Sequence, residues 1–157
     1  MREKVKIYSI SIFIALAVGG LSALLSSGSM NLYENIKVPP LAPPSILFPI
    51  VWSVLYILMG ISAALVFMDE ASSDSEKQTA LYLYAASLFF NFAWSIIFFN
   101  MQAFLLSFLW LIVLFVLIIQ TIKAYLPISP LAAYLQIPYA VWVCFAGYLN
   151  FAIWVLN

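Results

Sequence analysis

Residues 38–60 read VPPLAPPSILFPIVWSVLYILMG, a proline-rich segment that leads directly into an apolar one. Proline fixes φ and lacks a backbone N–H, and it biases the preceding residue towards extended geometry. Residues 38–44 are therefore predicted to form a stiff, polyproline-like connector. Pro49 suits the first turn of the following helix, where a missing donor costs least. No charged residue then occurs before Asp69, which is typical of a membrane-spanning helix.

The composition extends this prediction to the whole chain. Of its 157 residues, 66% are hydrophobic and 8% are charged, whereas soluble domains carry about 25% charged residues. A soluble fold of this size could not bury so much apolar surface, because much of any small globule faces water. The predicted fold class is therefore an all-α integral membrane protein. The formal net charge of zero argues against nucleic acid as a partner.

Five apolar runs are each long enough to cross a hydrocarbon core about 30 Å thick. Their continuity favours helices over barrel strands, in which polar and apolar residues alternate. The chain is predicted to be a single domain, 1–157, folded as a five-transmembrane-helix bundle. The spans are expected at residues 7–25, 45–68, 79–99, 104–124 and 131–154. A secretory signal peptide is the competing interpretation of the first run, but the run exceeds a typical signal and no convincing cleavage site follows.

Basic residues predict the orientation of the bundle. With five spans, every basic residue except Lys37 falls on one side of the membrane. The positive-inside rule then places the N-terminus in the cytoplasm, with the C-terminus and the loop 26–44 outside.

The chain has no histidine and one cysteine, Cys144. Without histidine, the usual general base near neutral pH and the usual metal ligand are missing, so neither a catalytic residue nor a metal site is predicted. Cys144 is interpreted as a small apolar filler. No carboxylate lies within a span and no internal repeat is visible, which weakens the case for a transporter.

Polar and aromatic residues within the spans have two interpretations each. Asn91 needs hydrogen-bond partners in lipid, which either another helix or a ligand pocket would supply. On span five, Trp142, Ala146 and Asn150 share a stripe, whose small residues favour helix packing over the approach of a flat ligand. On span two, Trp52 and Tyr56 share a face and suit either a pocket wall or an interfacial anchor.

Taken together, these residues indicate an apolar cavity with aromatic walls and a few amides and hydroxyls. Such a cavity suits a planar or apolar molecule and supports binding better than catalysis.

Three separated motifs on spans two, three and five resemble the translocator protein family, which includes bacterial tryptophan-rich sensory proteins and mitochondrial benzodiazepine receptors. They are PPLAPPSILFPIVWSVLYILMG at 39–60, LFFNFAWSIIFF at 88–99 and PYAVWVCFAGYLNFAIWVLN at 138–157. The resemblance covers nearly the whole chain. It implies a five-helix bundle, commonly a homodimer, in a bacterial or archaeal cell membrane. It also implies binding of protoporphyrin and other planar apolar molecules, with porphyrin as a ligand rather than a cofactor.

The resemblance also implies where the ligand binds. A lid loop would be formed by Pro39, Pro40, Leu41, Pro43 and Pro44. The ligand-binding residues would be Phe48, Trp52, Tyr56, Asn91, Trp94, Trp142, Ala146 and Asn150.

This chain departs from the family pattern at Leu41 and Ile46, where some or many members have tryptophan. Some bacterial members break down porphyrin in light with pocket tryptophans implicated, so these departures weigh against that activity, although Trp94 and Trp142 remain. The leading hypothesis is a tetrapyrrole-binding membrane receptor or sensor. The alternatives are a light-dependent porphyrin-degrading enzyme and, ranked lower, a transporter of small apolar solutes.

Overall fold

The computed structural model describes residues 2–29 and 31–157; Met1 and Met30, which fall within the predicted domain and its first loop, lie outside the described residues. In the described part of the chain all regular elements are helical. In chain order they are α1 (Arg2–Ser26), a 3₁₀ turn (Ser27–Ser29), α2 (Leu32–Asn35), α3 (Leu47–Phe67), α4 (Asp74–Ser95), a π-helical turn (Ile96–Asn100), α5 (Phe104–Tyr125), α6 (Pro130–Leu135) and α7 (Ile137–Leu156).

Five of these helical segments are long and apolar enough to cross a membrane: α1, α3, α4 with its π turn, α5, and α6 with α7. The predicted fold class, an all-α membrane bundle of five helices, is thus confirmed. Around the bundle, α1 packs on α3 and on α4, and α5 packs between α4 and α7. Exposed side chains on the outer faces are largely apolar, for example Leu109, Ile112 and Val116 on α5, as a surface in contact with lipid requires.

Polar residues extend two helices beyond the expected spans. Ser73 caps α4, because its Oγ accepts the Glu76 N–H at 3.3 Å while Glu76 Oε2 accepts the Ser73 N–H at 3.0 Å. This capping box starts the helix at Asp74, in the segment 69–78 that separates the second and third expected spans. Ser129 likewise accepts the Ala132 N–H and starts α6 at Pro130.

The proline-rich connector is not a continuous polyproline segment. The Ala42 N–H bonds to the Pro39 carbonyl at 3.2 Å, and Leu41 has a φ of 70°. These features define a type II turn with Pro40 at its second position and Leu41 at its third, which glycine usually occupies. The prediction of a polyproline-like conformation is therefore wrong at Leu41, where the chain turns.

The connector is held against the end of α7. Tyr148 OH donates to the Pro40 carbonyl at 2.9 Å. The Asn157 side chain accepts the Lys37 N–H and donates to the Lys37 carbonyl, both at 3.0 Å. These bonds satisfy backbone N–H and carbonyl groups of the connector, which forms no helix or strand that would otherwise do so.

Candidate functional site

A cavity of about 410 Å³ opens between α1, α3, α4 and α7. This volume falls within the roughly 300–1,000 Å³ range of small-molecule sites. Seven of the eight predicted ligand-binding residues line it: Phe48, Trp52, Tyr56, Asn91, Trp94, Ala146 and Asn150.

Asn91 joins two helices deep in the cavity wall. Its Nδ2 donates to Tyr56 OH at 3.2 Å, and both side chains are buried. Both interpretations of Asn91 therefore hold, since the amide bonds across helices and also lines the cavity. This bond uses one of the two amide N–H groups of Asn91 and a lone pair of the Tyr56 hydroxyl.

Trp94 is fixed by a hydrogen bond to Asn150. Its Nε1 donates to Asn150 Oδ1 at 3.0 Å, and Asn150 Nδ2 donates in turn to the Phe104 carbonyl at 2.8 Å. The Trp94 ring stacks on Phe98, with ring centroids 5.5 Å apart and an interplanar angle of 28°. A buried tryptophan usually finds a partner for its N–H. Here the hydrogen bond to Asn150 fixes the orientation of the Trp94 ring, which forms one aromatic wall of the cavity.

Trp52 forms a second aromatic wall. It stacks on Tyr56 with centroids 5.6 Å apart, and Trp142 meets it edge-on at 6.5 Å. Trp142 also meets Phe48 edge-on at 6.0 Å but is not among the residues that line the cavity. The structure thus places Trp142 behind Phe48 and Trp52, where it supports the wall from the rear.

The α1 wall was missed by sequence reasoning. Gly19, Ser22, Ala23 and Ser26 line the cavity from α1. Gly19 lies so close to the Tyr56 ring that a Cβ there would overlap it. Small residues at four-residue spacing were the available signal, but the same spacing is typical of ordinary helix packing.

The mouth of the cavity is lined by the segment around α2 and by the start of α3. Asn31, Tyr33 and Glu34 line it on one side, and Ser45 and Ile46 on the other. Burial raises the pKa of the Tyr33 hydroxyl, a group that is neutral at physiological pH even without this shift.

The five residues expected to form the lid, Pro39, Pro40, Leu41, Pro43 and Pro44, are not among the residues that line the cavity. A hydrogen bond joins their segment to α2, since Tyr33 OH donates to the Pro43 carbonyl at 3.4 Å.

Two other expectations concern cysteine and metal ions. Cys144, interpreted as a small apolar filler, is exposed on α7 and lines a separate apolar groove between α5 and α7, so it does not fill the interior of the bundle. Across residues 2–29 and 31–157, no group of three or more histidine, cysteine or acidic side chains is arranged to hold a metal ion.

Comparison with known proteins places the chain in a family. Residues 11–155 match the TspO/MBR family. The chain is 34% identical over 158 residues to the tryptophan-rich protein TspO of Chlorobaculum tepidum, which covers 100% of this chain and 99% of the relative. It is 36% identical to protein CrtK of Rhodobacter capsulatus, over 92% of this chain and 89% of the relative. It is 32% identical to the translocator protein of Ovis aries, over 80% of this chain and 74% of the relative. The resemblance drawn from the three motifs is confirmed, and the chain belongs to the TspO/MBR family of integral membrane proteins.

Proposed function

We propose that this protein is a membrane receptor or sensor that binds tetrapyrroles such as protoporphyrin, and other planar apolar molecules, in the cavity between α1, α3, α4 and α7. One observation carries the proposal: the cavity has aromatic walls on two sides, formed by Trp52 with Tyr56 and by Trp94 with Phe98. Membership of the TspO/MBR family supports a membrane sensor or receptor.

The ligand would be held mainly by its ring faces. Asn91 and Asn150 already have protein partners, so they position the aromatic walls more than they bind the ligand. Stacking and apolar burial then provide most of the affinity. Trp142 would act indirectly, by fixing the tilt of Trp52. In this proposal porphyrin is the ligand, and the site needs no cofactor.

A matched pair of α7 variants tests whether the ligand occupies the cavity. Ala146 lines it, so Ala146→Leu would fill part of the space. A Cβ added at the next residue, Gly147, would have no neighbouring atom within 4 Å. Gly147→Leu therefore adds comparable bulk outside the cavity.

The readout is the rise in melting temperature that protoporphyrin IX produces in detergent micelles. A ligand at a hundred times its Kd stabilises a protein by about 2.7 kcal/mol. We expect protoporphyrin IX to raise the melting temperature of the unmodified protein and of Gly147→Leu, and to leave that of Ala146→Leu unchanged. An equal rise in both variants would place the ligand elsewhere.

We also propose that the N-terminus lies in the cytoplasm of a bacterial or archaeal cell, that the cavity mouth faces outward, and that the protein forms a homodimer. The asymmetric distribution of basic residues supports the orientation. In a Cys144→Ala background, an impermeant maleimide added to intact cells should label Glu34→Cys but not Glu70→Cys. The reverse pattern would invert the proposed orientation.

Crosslinking of the purified protein to a species of twice the monomer mass would test the dimer.

Light-dependent breakdown of porphyrin is a second candidate function, favoured by one feature of the site. Trp52 lines the cavity and has Trp142 and Tyr139 within 6.5 Å, measured between ring centroids. If the Trp52 indole were oxidised, the neighbouring Trp142 or Tyr139 ring could reduce it by electron transfer. The absorbance band of bound protoporphyrin should then decay faster with protein than without it, in light and in the presence of dioxygen only. Equal decay rates would exclude this activity.

A further inference from the structure

We infer that the bundle binds a water molecule at an internal site that is separate from the cavity. The site lies between α4, α5 and the junction of α6 with α7, towards the end of the bundle opposite the cavity mouth. Its ligands are the hydroxyls of Tyr84 and Tyr125 and the side-chain carbonyl of Gln136, none of which lines the cavity. The bound water joins these three parts of the bundle by hydrogen bonds.

Three buried polar atoms without a partner are the first argument. Tyr84 OH, Tyr125 OH and Gln136 Oε1 make no hydrogen bond within residues 2–29 and 31–157. Tyr84 is only 7% exposed, and Tyr125 and Gln136 are completely buried. Buried polar atoms of side chains nearly always bond to protein or to ordered water. Three such atoms in one region therefore point to a bound partner that they share.

The three groups lie at a similar depth in the bundle. The rings of Tyr84 and Tyr125 have centroids 6.5 Å apart, yet their hydroxyls do not bond to each other. One turn further along their helices, Tyr139 OH donates to the Ser87 carbonyl at 3.5 Å. Because α4 and α7 cross the bundle in the same direction, Gln136 and Tyr84 both lie one turn below that contact.

The donors and acceptors of the site match those of water. Ser62 Oγ donates to the Ala132 carbonyl at 2.7 Å, so it accepts from Gln136 Nε2 at 3.1 Å. This arrangement fixes the amide of Gln136 and leaves its oxygen as the unpartnered acceptor. A water molecule can donate to this oxygen and to one tyrosine hydroxyl, and accept from the other. Three hydrogen bonds are typical of a buried water.

Small side chains lie one helical turn from these ligands. Ala80 precedes Tyr84 on α4, and Ala133 precedes Gln136 on α6; both alanines are completely buried. Because an alanine side chain ends at Cβ, it adds little bulk that would exclude a water. Sites with several polar groups hold water, whereas cavities that stay empty are apolar.

The site also accounts for how α5 is held at its C-terminal end. In the described part of the chain, the side-chain hydrogen bonds between α5 and other helices lie in its first half. Trp110 Nε1 donates to the Phe90 carbonyl, and Asn150 Nδ2 donates to the Phe104 carbonyl, both at 2.8 Å. At the other end of α5, Tyr125 is buried without a protein partner for its hydroxyl. A water bound there gives this end of α5 its polar link to α4 and to Gln136.

A double-mutant cycle tests the inference in the full chain. The variants are Tyr84→Phe, Tyr125→Phe and the double variant, and the equilibrium constant of unfolding is measured by chemical denaturation in micelles. Since neither hydroxyl bonds to another protein group, these substitutions break no bond within the protein. Tyr82→Phe is the matched control, because Tyr82 lies on the same helix as Tyr84 but is 72% exposed.

If the site holds water, each single substitution removes one hydrogen bond and should raise the unfolding constant about two- to twelvefold. The second substitution should have an effect at least about twofold smaller in the background of the first, since both hydroxyls hold the same water. Tyr82→Phe should change the constant by less than about twofold. Unfolding constants that are unchanged or lowered in both single variants would overturn the inference, because loss of an unpartnered buried hydroxyl removes a desolvation cost. Effects that multiply independently would also overturn it.

A crystal structure that resolves ordered water separates a bridging water from a direct bond between the two hydroxyls. We expect one water oxygen within about 3 Å of Tyr84 OH, Tyr125 OH and Gln136 Oε1, and its loss in the double variant. A direct bond between the hydroxyls, without density for a water, would overturn the inference.

Discussion

The bond between Trp94 and Asn150 supports one aromatic wall, and its removal should have a measurable cost. Asn150 is 1% exposed and accepts the Trp94 N–H at 3.0 Å. In Asn150→Leu, a side chain of similar volume, that N–H would be left buried without a partner. The Phe104 carbonyl would lose the Asn150 amide but would keep Ser107 Oγ as a donor at 2.9 Å. The main cost therefore comes from one indole N–H.

An unsatisfied buried group costs about 1–3 kcal/mol, and hydrogen bonds within membrane bundles average about 0.6 kcal/mol with a maximum near 1.7. We expect Asn150→Leu to lower the free energy of unfolding in micelles by about 1–2 kcal/mol. Trp94→Phe removes the donor, so the same asparagine substitution should cost about 0.6–1.7 kcal/mol less in that background. A coupling energy of zero in this double-mutant cycle would refute the assignment of the bond.

Three further substitutions test local features of the fold. A Cβ at Gly60 would overlap the Ile12 backbone. Gly60→Ala should therefore separate α1 from α3 and lower the free energy of unfolding by about 1–3 kcal/mol. Its control, Gly147→Ala, adds a Cβ in open space and should lower the melting temperature little. Leu41 is 81% exposed with a φ of 70°, so its glycine variant should be at least as stable as the unmodified protein and its valine variant should melt at a lower temperature, since a branched Cβ is disfavoured there; the opposite order would contradict the turn assignment. Ser73→Ala removes the cap of α4 and should cost about 1 kcal/mol in chemical unfolding; an unchanged midpoint would mean that the cap contributes nothing.

The fold could be predicted because lipid restricts the available structures. In lipid, only helices and closed barrels satisfy the backbone. Continuous apolar runs, such as the run from Pro49 to Met68, lack the alternation of polar and apolar residues that barrel strands show, and so predict helices. Polar helix ends were harder to place, since Ser73 acts as a cap only through its reciprocal bonds with Glu76. The turn could not be predicted because its third position is occupied by Leu41, and leucine rarely adopts a positive φ.

The candidate site could be predicted only where the chemistry of a side chain requires a particular kind of neighbour. Asn91 had to find a polar partner, and it does so at Tyr56. Trp142 and Ala146 lie four residues apart on one stripe, yet Ala146 lines the cavity and Trp142 packs against Phe48 and Trp52 without lining it. The rotation of α7 that decides this follows mainly from its packing on α5, which the sequence of α7 alone does not reveal. Small residues such as Gly19 and Ser22 gave no indication of which neighbour they would face.

The central claim is that planar ligands stack on the aromatic walls of this cavity. Its most direct test is the titration of tryptophan fluorescence with protoporphyrin IX dimethyl ester, comparing Trp52→Leu with Trp154→Leu. Trp52 lines the cavity, makes a stacked contact with Tyr56, and anchors no other element by a hydrogen bond. Trp154 is 40% exposed on α7 and does not line the cavity. We expect saturable quenching, with Kd raised about tenfold by Trp52→Leu and changed less than twofold by Trp154→Leu. Equal Kd values for the two variants would contradict the account.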